Sequence, residues 1–181
     1  MTKPELFLFL DIDGVFMTSR TYSQKNDEGK IHTILDSDAV VNFNNFLSKV
    51  TPKYRIRVVI SSTWRKYNSI DKIKQLFRTN KVNFDYSDPW GITPNFSART
   101  VNGILQDRGY EIGTYLAERF TEGFGPDFLI FDDDSDMAGL KPAFLDHILP
   151  IQTVSEKFVH VRGRNGFSEE DTVKSLKLLH L

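Results

Sequence analysis

The sequence predicts an α/β fold with a central parallel sheet between layers of helix, and three apolar runs predict it. Residues 6–15 read LFLFLDIDGV, residues 58–65 read VVISSTWR and residues 128–136 read FLIFDDDSD. Five consecutive large apolar residues, 6–10, suit a strand buried on both faces, as in the middle of a parallel sheet. Each run ends in carboxylates or hydroxyls. In open α/β sheets ligands bind in the crevice beyond the carboxyl ends of the strands. Three strands that deliver Asp, Ser or Thr there therefore describe a site rather than a set of turns.

In the first run Asp11 and Asp13 stand two residues apart, which places them on one side of the chain if the extended geometry continues. Gly14 then lets the chain turn away without crowding them. Taken alone, Asp-x-Asp-Gly reads equally as a polar strand end and a turn. Residues 15–35 are polar and irregular, and read as a flap hairpin turning at 26–29 or as a surface loop. Arg20 or Lys25 could meet an anionic substrate there.

Asp36-Ser37-Asp38 starts a helix that runs to Val50, with Val40, Val41, Phe43, Phe46 and Leu47 apolar and Thr51-Pro52 closing it. Lys53, Arg55 and Arg57 lead into the second strand, 56–60, as a solvated entrance at the end away from the site. After it, Ser61 or Ser62 offers a hydroxyl and Arg65 a bidentate fork to an anionic oxygen. Ser62 and Thr63 read equally well as helix caps, and Trp64 reads as packing. Residues 69–80 form an amphipathic helix with Ile70, Ile73, Leu76 and Phe77 on one face.

Residues 82–84 suggest a short strand, 88–94 a loop, and 95–107 carry no clear period. Arg108 opens a helix with Ile112, Tyr115, Leu116 and Phe120 apolar at helical spacing. The third strand, 128–131, is followed by Asp132, Asp133, Asp134 and Asp136, four carboxylates that would repel one another without a cation. Magnesium, a hard ion that prefers oxygen, is the natural counter-ion. Residues 144–151 and 157–161 suggest an edge strand and loop. Ser168 and Asp171 stand in capping-box positions before a last helix with Val173, Leu176, Leu178 and Leu179 apolar, which is expected to cover the sheet. His32, His147, His160 and His180 lack metal-ligand spacing and receive no role.

At 181 residues, 40% hydrophobic and with 15 Phe, the chain fits one domain, 1–181, with a sizeable core. A formal charge of −1 gives no global basic field, so any nucleic-acid contact must be local. Zero cysteines exclude disulfides, thiolate catalysis and cysteine-ligated zinc. Neither a membrane-length apolar stretch nor a signal-peptide pattern is present, which predicts a soluble, cytoplasmic protein without membrane partners.

Together the motifs resemble the haloacid dehalogenase (HAD) superfamily of phosphohydrolases: 11–15 its first motif, Ser61 or Ser62 its second, and Asp132-Asp133 with Asp136 its fourth. The wording SSTWR, GITP, RGYEI and DDDSDM is similar more narrowly to the small HAD domains associated with RNA-repair (Swiss Army Knife) proteins. The resemblance implies a three-layer Rossmann-like fold and Mg2+-dependent phosphomonoester hydrolysis through an aspartyl-phosphate. It makes Asp11 the nucleophile and Asp13 the acid and base, a second Asp that phosphatases carry and dehalogenases lack. Asp11, Asp13, Asp132 and Asp133 are the residues expected to make the metal site, with the Asp13 side chain itself outside the first metal shell. Ser61, Ser62, Arg65 and Arg108 are expected to bind the substrate phosphate, Ser61 being the first hydroxyl after the strand.

The third superfamily motif is usually a lysine. No lysine lies between Lys81 and Lys141, which leaves Arg99, Arg108 or Arg119; Arg108, at the head of a helix, is the residue chosen here. Neither interval in which superfamily caps enter has room for a large one. A minimal or absent cap favours bulky substrates, so the expected partner is a phosphorylated nucleic-acid end. Rival readings are a small-molecule or nucleotide phosphatase, a protein phosphatase and a non-catalytic phosphate-binding module.

Overall fold

The computed structural model describes residues 3–25, 31–96, 99–101, 104–106, 108–119, 127–134 and 157–181. The first apolar run is β1 (Glu5–Leu10), which lies between β4 (Arg55–Ile60) and β8 (Asp127–Asp132), parallel to both. Numbering follows the chain. β5 (Gly91–Ile92) and β9 (Phe158–His160) complete a parallel sheet of order β5-β4-β1-β8-β9. The two-residue side-chain period divides β1 between two cores. Leu6, Leu8 and Leu10 join Val58, Ile60, Leu129 and Phe131 on one face, while Phe7 and Phe9 join Val59, Phe128 and Ile130 on the other. This is why the run is continuously apolar rather than alternating.

Helices cover both faces. On the larger core lie α1 (Ser37–Val50), α2 (Ile70–Thr79) and α4 (Glu169–Leu178); α3 (Arg108–Ala117) covers the other with Ile112, Tyr115 and Leu116. Phe43 of α1 is the hub of the larger core, with ring centroids of Phe16, Phe46, Phe84, Phe131 and Phe167 between 4.9 and 5.7 Å away. Two caps follow the sequence reading: Asp36 accepts from the N–H groups of Asp38 and Ala39, and Ser168 with Asp171 forms a capping box; Ser69 adds a third by accepting from the N–H of Lys72. Two helical positions differ. Val41 and Val173, counted with the apolar stripes, are 58% and 61% exposed, because each falls outside the arc of its helix that meets the core.

A hairpin stands where the flap was expected, β2 (Tyr22–Lys25) against β3 (Ile31–Ile34); residues 26–30 lie outside the described residues. Its base is tied to the end of α2, since Asn80 Nδ2 donates to Thr33 O (2.9 Å) and Asn80 Oδ1 accepts from Leu35 N (2.8 Å). A second small hairpin, β6 (Arg99–Val101) and β7 (Ile104–Gln106), precedes α3. The strand expected at 82–84 is irregular chain whose Val82 and Phe84 fill the core. The loop expected at 88–94 instead contains β5, where Gly91 is required: a Cβ there would sit 2.2 Å from Tyr115 Oη. Phe120 and residues 144–151 lie outside the described residues.

Candidate active site

The parallel strands end at a common level, and each ladder continues just beyond its strand. Asp11 N donates to Phe131 O (2.9 Å), Ser61 N to Leu10 O (2.9 Å), Thr93 N to Ile60 O (3.1 Å) and Val161 N to Asp132 O (2.9 Å). Asp11, Ser61 and Asp132 are thereby fixed by main-chain bonds around one crevice. After Asp11 the chain leaves the extended form, because Ile12 O accepts from both Phe16 N (2.9 Å) and Met17 N (3.0 Å). Gly14 turns here with φ of 71°. The continued extension that would align Asp11 with Asp13 is therefore absent.

Asp11, Asp132 and Asp133 each bring one carboxylate oxygen within 4.8 Å of the others. Asp11 and Asp132 are 6% and 1% exposed, and Asp133 is half-buried. Two glycines shape the slot for Asp133: a Cβ on Gly14 would lie 2.0 Å from its Cγ, and one on Gly163 would lie 2.3 Å from its Oδ2. Arg108 is the cation beside the group, its Nη1 4.0 Å from Asp11 Oδ1 and 3.9 Å from Asp132 Oδ2. Burial pushes the Asp11 carboxyl above the ordinary carboxylate range, against the pull of Arg108 and of hydrogen bonds from Ser62 and the Ile12 N–H. Asp133 is raised as well, by burial first and then by the charges of Asp134 and Asp13. Three carboxylates facing one arginine form a hard-oxygen donor set that suits a small divalent cation.

Asp13 is not in this group. It is exposed, and its Oδ1 accepts from Trp64 Nε1 at 3.2 Å, so Trp64 serves a site residue as well as packing on the core. Ser61 is fully buried, and its hydroxyl has no hydrogen-bond partner among the described residues. Ser62 caps the 3-10 turn Thr63–Lys66 by accepting from Trp64 N (3.3 Å).

Residues 7–172 match the family described as HAD domain in Swiss Army Knife RNA repair proteins. The chain belongs to that family. Among solved structures it is similar to a hypothetical protein from Xanthomonas campestris, at 13% identity over 98% of this chain and 84% of that one, with a TM-score of 0.43. It is likewise similar to 3-deoxy-D-manno-octulosonate 8-phosphate phosphatase from Yersinia pestis, at 11% identity over 98% and 83% with a TM-score of 0.42. No curated protein matches the chain. Among the described residues no helix is long and apolar enough to cross a membrane.

Two arginines of this HAD domain are engaged otherwise than the sequence suggested. The free fork expected of Arg65 is turned inward: its guanidinium pairs with Glu111 and donates to Ser62 O (2.6 Å) and Pro94 O (3.4 Å), with the Arg65 and Glu111 side chains only 4% and 5% exposed. Burial, with Arg108 nearby, lowers the Arg65 pKa in spite of Glu111. Arg20 of the flap is held by Asp36 (Nε to Oδ2, 2.7 Å), Asp38 (2.8 Å) and Asn165 O (3.1 Å) rather than facing the crevice. Sequence reasoning passed over Glu111, whose other oxygen accepts from Phe96 N (2.9 Å). The available signal was an acid inside the apolar stripe of α3, one residue before Ile112 and four before Tyr115. His160 also contacts the site, its Nε2 lying 2.9 Å from Asp133 O. Only the β8–β9 register brings those two together. Asp134 is exposed and its N–H donates to Asp132 Oδ1 (2.9 Å), while Asp136 lies outside the described residues.

Proposed function

We propose that this protein is a Mg2+-dependent phosphomonoesterase that removes terminal phosphates from polynucleotides through an aspartyl-phosphate on Asp11. The observation that carries the chemistry is the separation of two carboxylates just beyond the end of β1: Asp11 buried among Asp132, Asp133 and Arg108, Asp13 exposed and outside that group. Asp11, Asp132 and Asp133 would hold Mg2+, which when bound offsets negative charge on the phosphoryl oxygens. An Asp11 carboxylate oxygen attacks phosphorus in line, and the bond from phosphorus to the leaving oxygen breaks. Asp13 gives its proton to that oxygen. Asp13 then takes a proton from water, whose oxygen attacks phosphorus and releases the Asp11 carboxylate and inorganic phosphate. Ser61, whose buried hydroxyl has no partner among the described residues, and Arg108 bind the transferring phosphoryl group. Ser62 and Arg65 form the wall behind it, Ser62 bonding to Asp11 and Arg65 to Glu111.

The polynucleotide substrate is supported by the RNA-repair setting in the family's description and by small hairpins, among the described residues, where a large cap would enclose a metabolite. The test is phosphate release with Mg2+ from 3′- and 5′-phosphorylated oligonucleotides beside the matching mononucleotides, with Asp11→Asn as the blank. Oligonucleotide preference is the expected result. Faster turnover of mononucleotides would keep the chemistry and move the substrate to metabolism.

A further inference from the structure

At Trp64, whose indole N–H donates to Asp13, a groove of about 220 Å3 opens between the flap strand β3, through His32 and Thr33, and the segment carrying Trp64, Lys72 and Gln75. We propose, building on the polynucleotide reading above, that this groove takes the terminal nucleoside of a single-stranded substrate, base against Trp64, with the next phosphate inward held by Lys72.

The in-line geometry dictates the direction. Nucleophile and leaving oxygen lie on opposite sides of phosphorus, and the acid that protonates the leaving oxygen must touch it. Whatever is bonded to that oxygen therefore lies on the Asp13 side. Trp64 stands there: its indole N–H donates to Asp13 Oδ1 at 3.2 Å, and the residue also lines the groove. A terminal nucleoside hangs from the leaving oxygen whether the phosphate is 3′ or 5′, so one groove serves both ends.

The lining fits that occupant. Among the described residues no acidic side chain lines the groove, in contrast to the larger cavity of about 750 Å3 at the opposite end of the sheet, whose wall includes Glu5, Asp85 and Asp88. Lys72 is exposed, and its ammonium makes no ion pair or hydrogen bond among the described residues. A tryptophan, the amides of Asn68 and Gln75, and the Lys72 cation on the first turn of α2 are elements of sequence-tolerant single-strand binding. The groove is also held in shape, since Asn80 bonds the main chain of Thr33 and Leu35 and so fastens β3 to α2. A mononucleotide fills the base position but has no second phosphate to offer Lys72. The groove thus supplies a physical reason for a preference for oligonucleotides.

The experiment compares kcat/KM with Mg2+ for a terminally phosphorylated oligonucleotide, its mononucleotide, a phosphoserine peptide and p-nitrophenyl phosphate. The proteins are the wild type, Lys72→Ala, Lys72→Glu and, as a control exposed at the other end of the sheet, Lys53→Ala. The oligonucleotide-to-mononucleotide ratio is expected to fall about ten-fold in Lys72→Ala and further in Lys72→Glu. The slope of log kcat/KM against log salt for the oligonucleotide should also lose about 0.7, the share of one single-strand phosphate contact. Lys53→Ala should keep both ratio and slope. An unchanged ratio and slope in both Lys72 variants would overturn the groove while leaving an oligonucleotide phosphatase in place. A wild type that hydrolyses p-nitrophenyl phosphate in an Asp11-dependent way yet shows no oligonucleotide preference would overturn the polynucleotide reading, and the groove with it. A faster reaction with the phosphoserine peptide would assign the groove to peptides instead.

Discussion

Asp36 and Asp11 are both buried carboxylates, 2% and 6% exposed, but their surroundings treat the charge in opposite ways. Asp36 receives the Thr18 hydroxyl, Arg20 Nε and Nη2 at 2.7 and 3.0 Å, and the N–H groups of Asp38 and Ala39 at 3.0 and 3.2 Å. Burial pushes its pKa upward, but these hydrogen bonds outweigh burial and hold it below the ordinary value of 3.8. Asp11 has the Ile12 N–H at 2.7 Å and Ser62, with Arg108 as far as 4.0 Å and two further carboxylates at hand, and burial prevails. One carboxylate is filled and serves as an N-cap that fastens the flap to α1. The other, among the described residues, is left short of positive charge, which is the condition a divalent cation corrects.

The sharpest way to break this contrast is Asp11→Asn. Phosphate release should fall on the order of 10^3-fold or more, while circular dichroism and the metal-free Tm are retained or raised because a repelling charge has gone. Next in size is the response to metal. Mg2+ should raise the Tm of the wild type, equivalent to about 2.7 kcal/mol at a hundred times its Kd, and Asp132→Asn should lose that response in differential scanning fluorimetry. Asp36→Ala should behave in the reverse sense, costing about 1–2 kcal/mol in urea unfolding through loss of the cap, with the Mg2+ shift intact. If Asp132→Asn destabilised the metal-free protein as much as Asp36→Ala does, the two carboxylates would not differ in kind.

The smallest effect is in pH. Because the folded pKa of Asp36 lies below its ordinary value, its contribution is complete above about pH 3.8 and is lost as pH falls through the folded pKa. The acid limb of a Tm-versus-pH curve should therefore be shallower in Asp36→Asn than in the wild type.

The same two regions show what a sequence can and cannot reveal. Asp36 was readable as a cap because capping is local, and the long periodic elements β1, β4, β8, α1, α2 and α4 were readable for the same reason. Two- and three-residue strands such as β5, β6 and β7 are too short to show a period. At the site, the meeting of Asp11 with Asp132 and Asp133 follows from parallel strands ending together, and Arg108 from its place at the head of α3. What stayed hidden depends on tertiary contact between residues far apart in the chain. Arg65 finds Glu111 46 residues away, Trp64 reaches Asp13 across 51, and Arg20 is claimed by Asp36. Each arginine could be recognised as a cation, but not assigned its partner, until the crevice was assembled.

The most direct test of Asp11 as nucleophile is chemical. Turnover of a phosphorylated oligonucleotide with Mg2+ is quenched in acid, reduced with borohydride, and the peptide spanning residues 5–20 is sequenced by mass spectrometry. An acyl phosphate on Asp11 is reduced to homoserine at that position, in the wild type and not in Asp11→Asn. Sustained phosphate release with Asp11 unmodified, or release that survives Asp11→Asn, would contradict a covalent mechanism at this site.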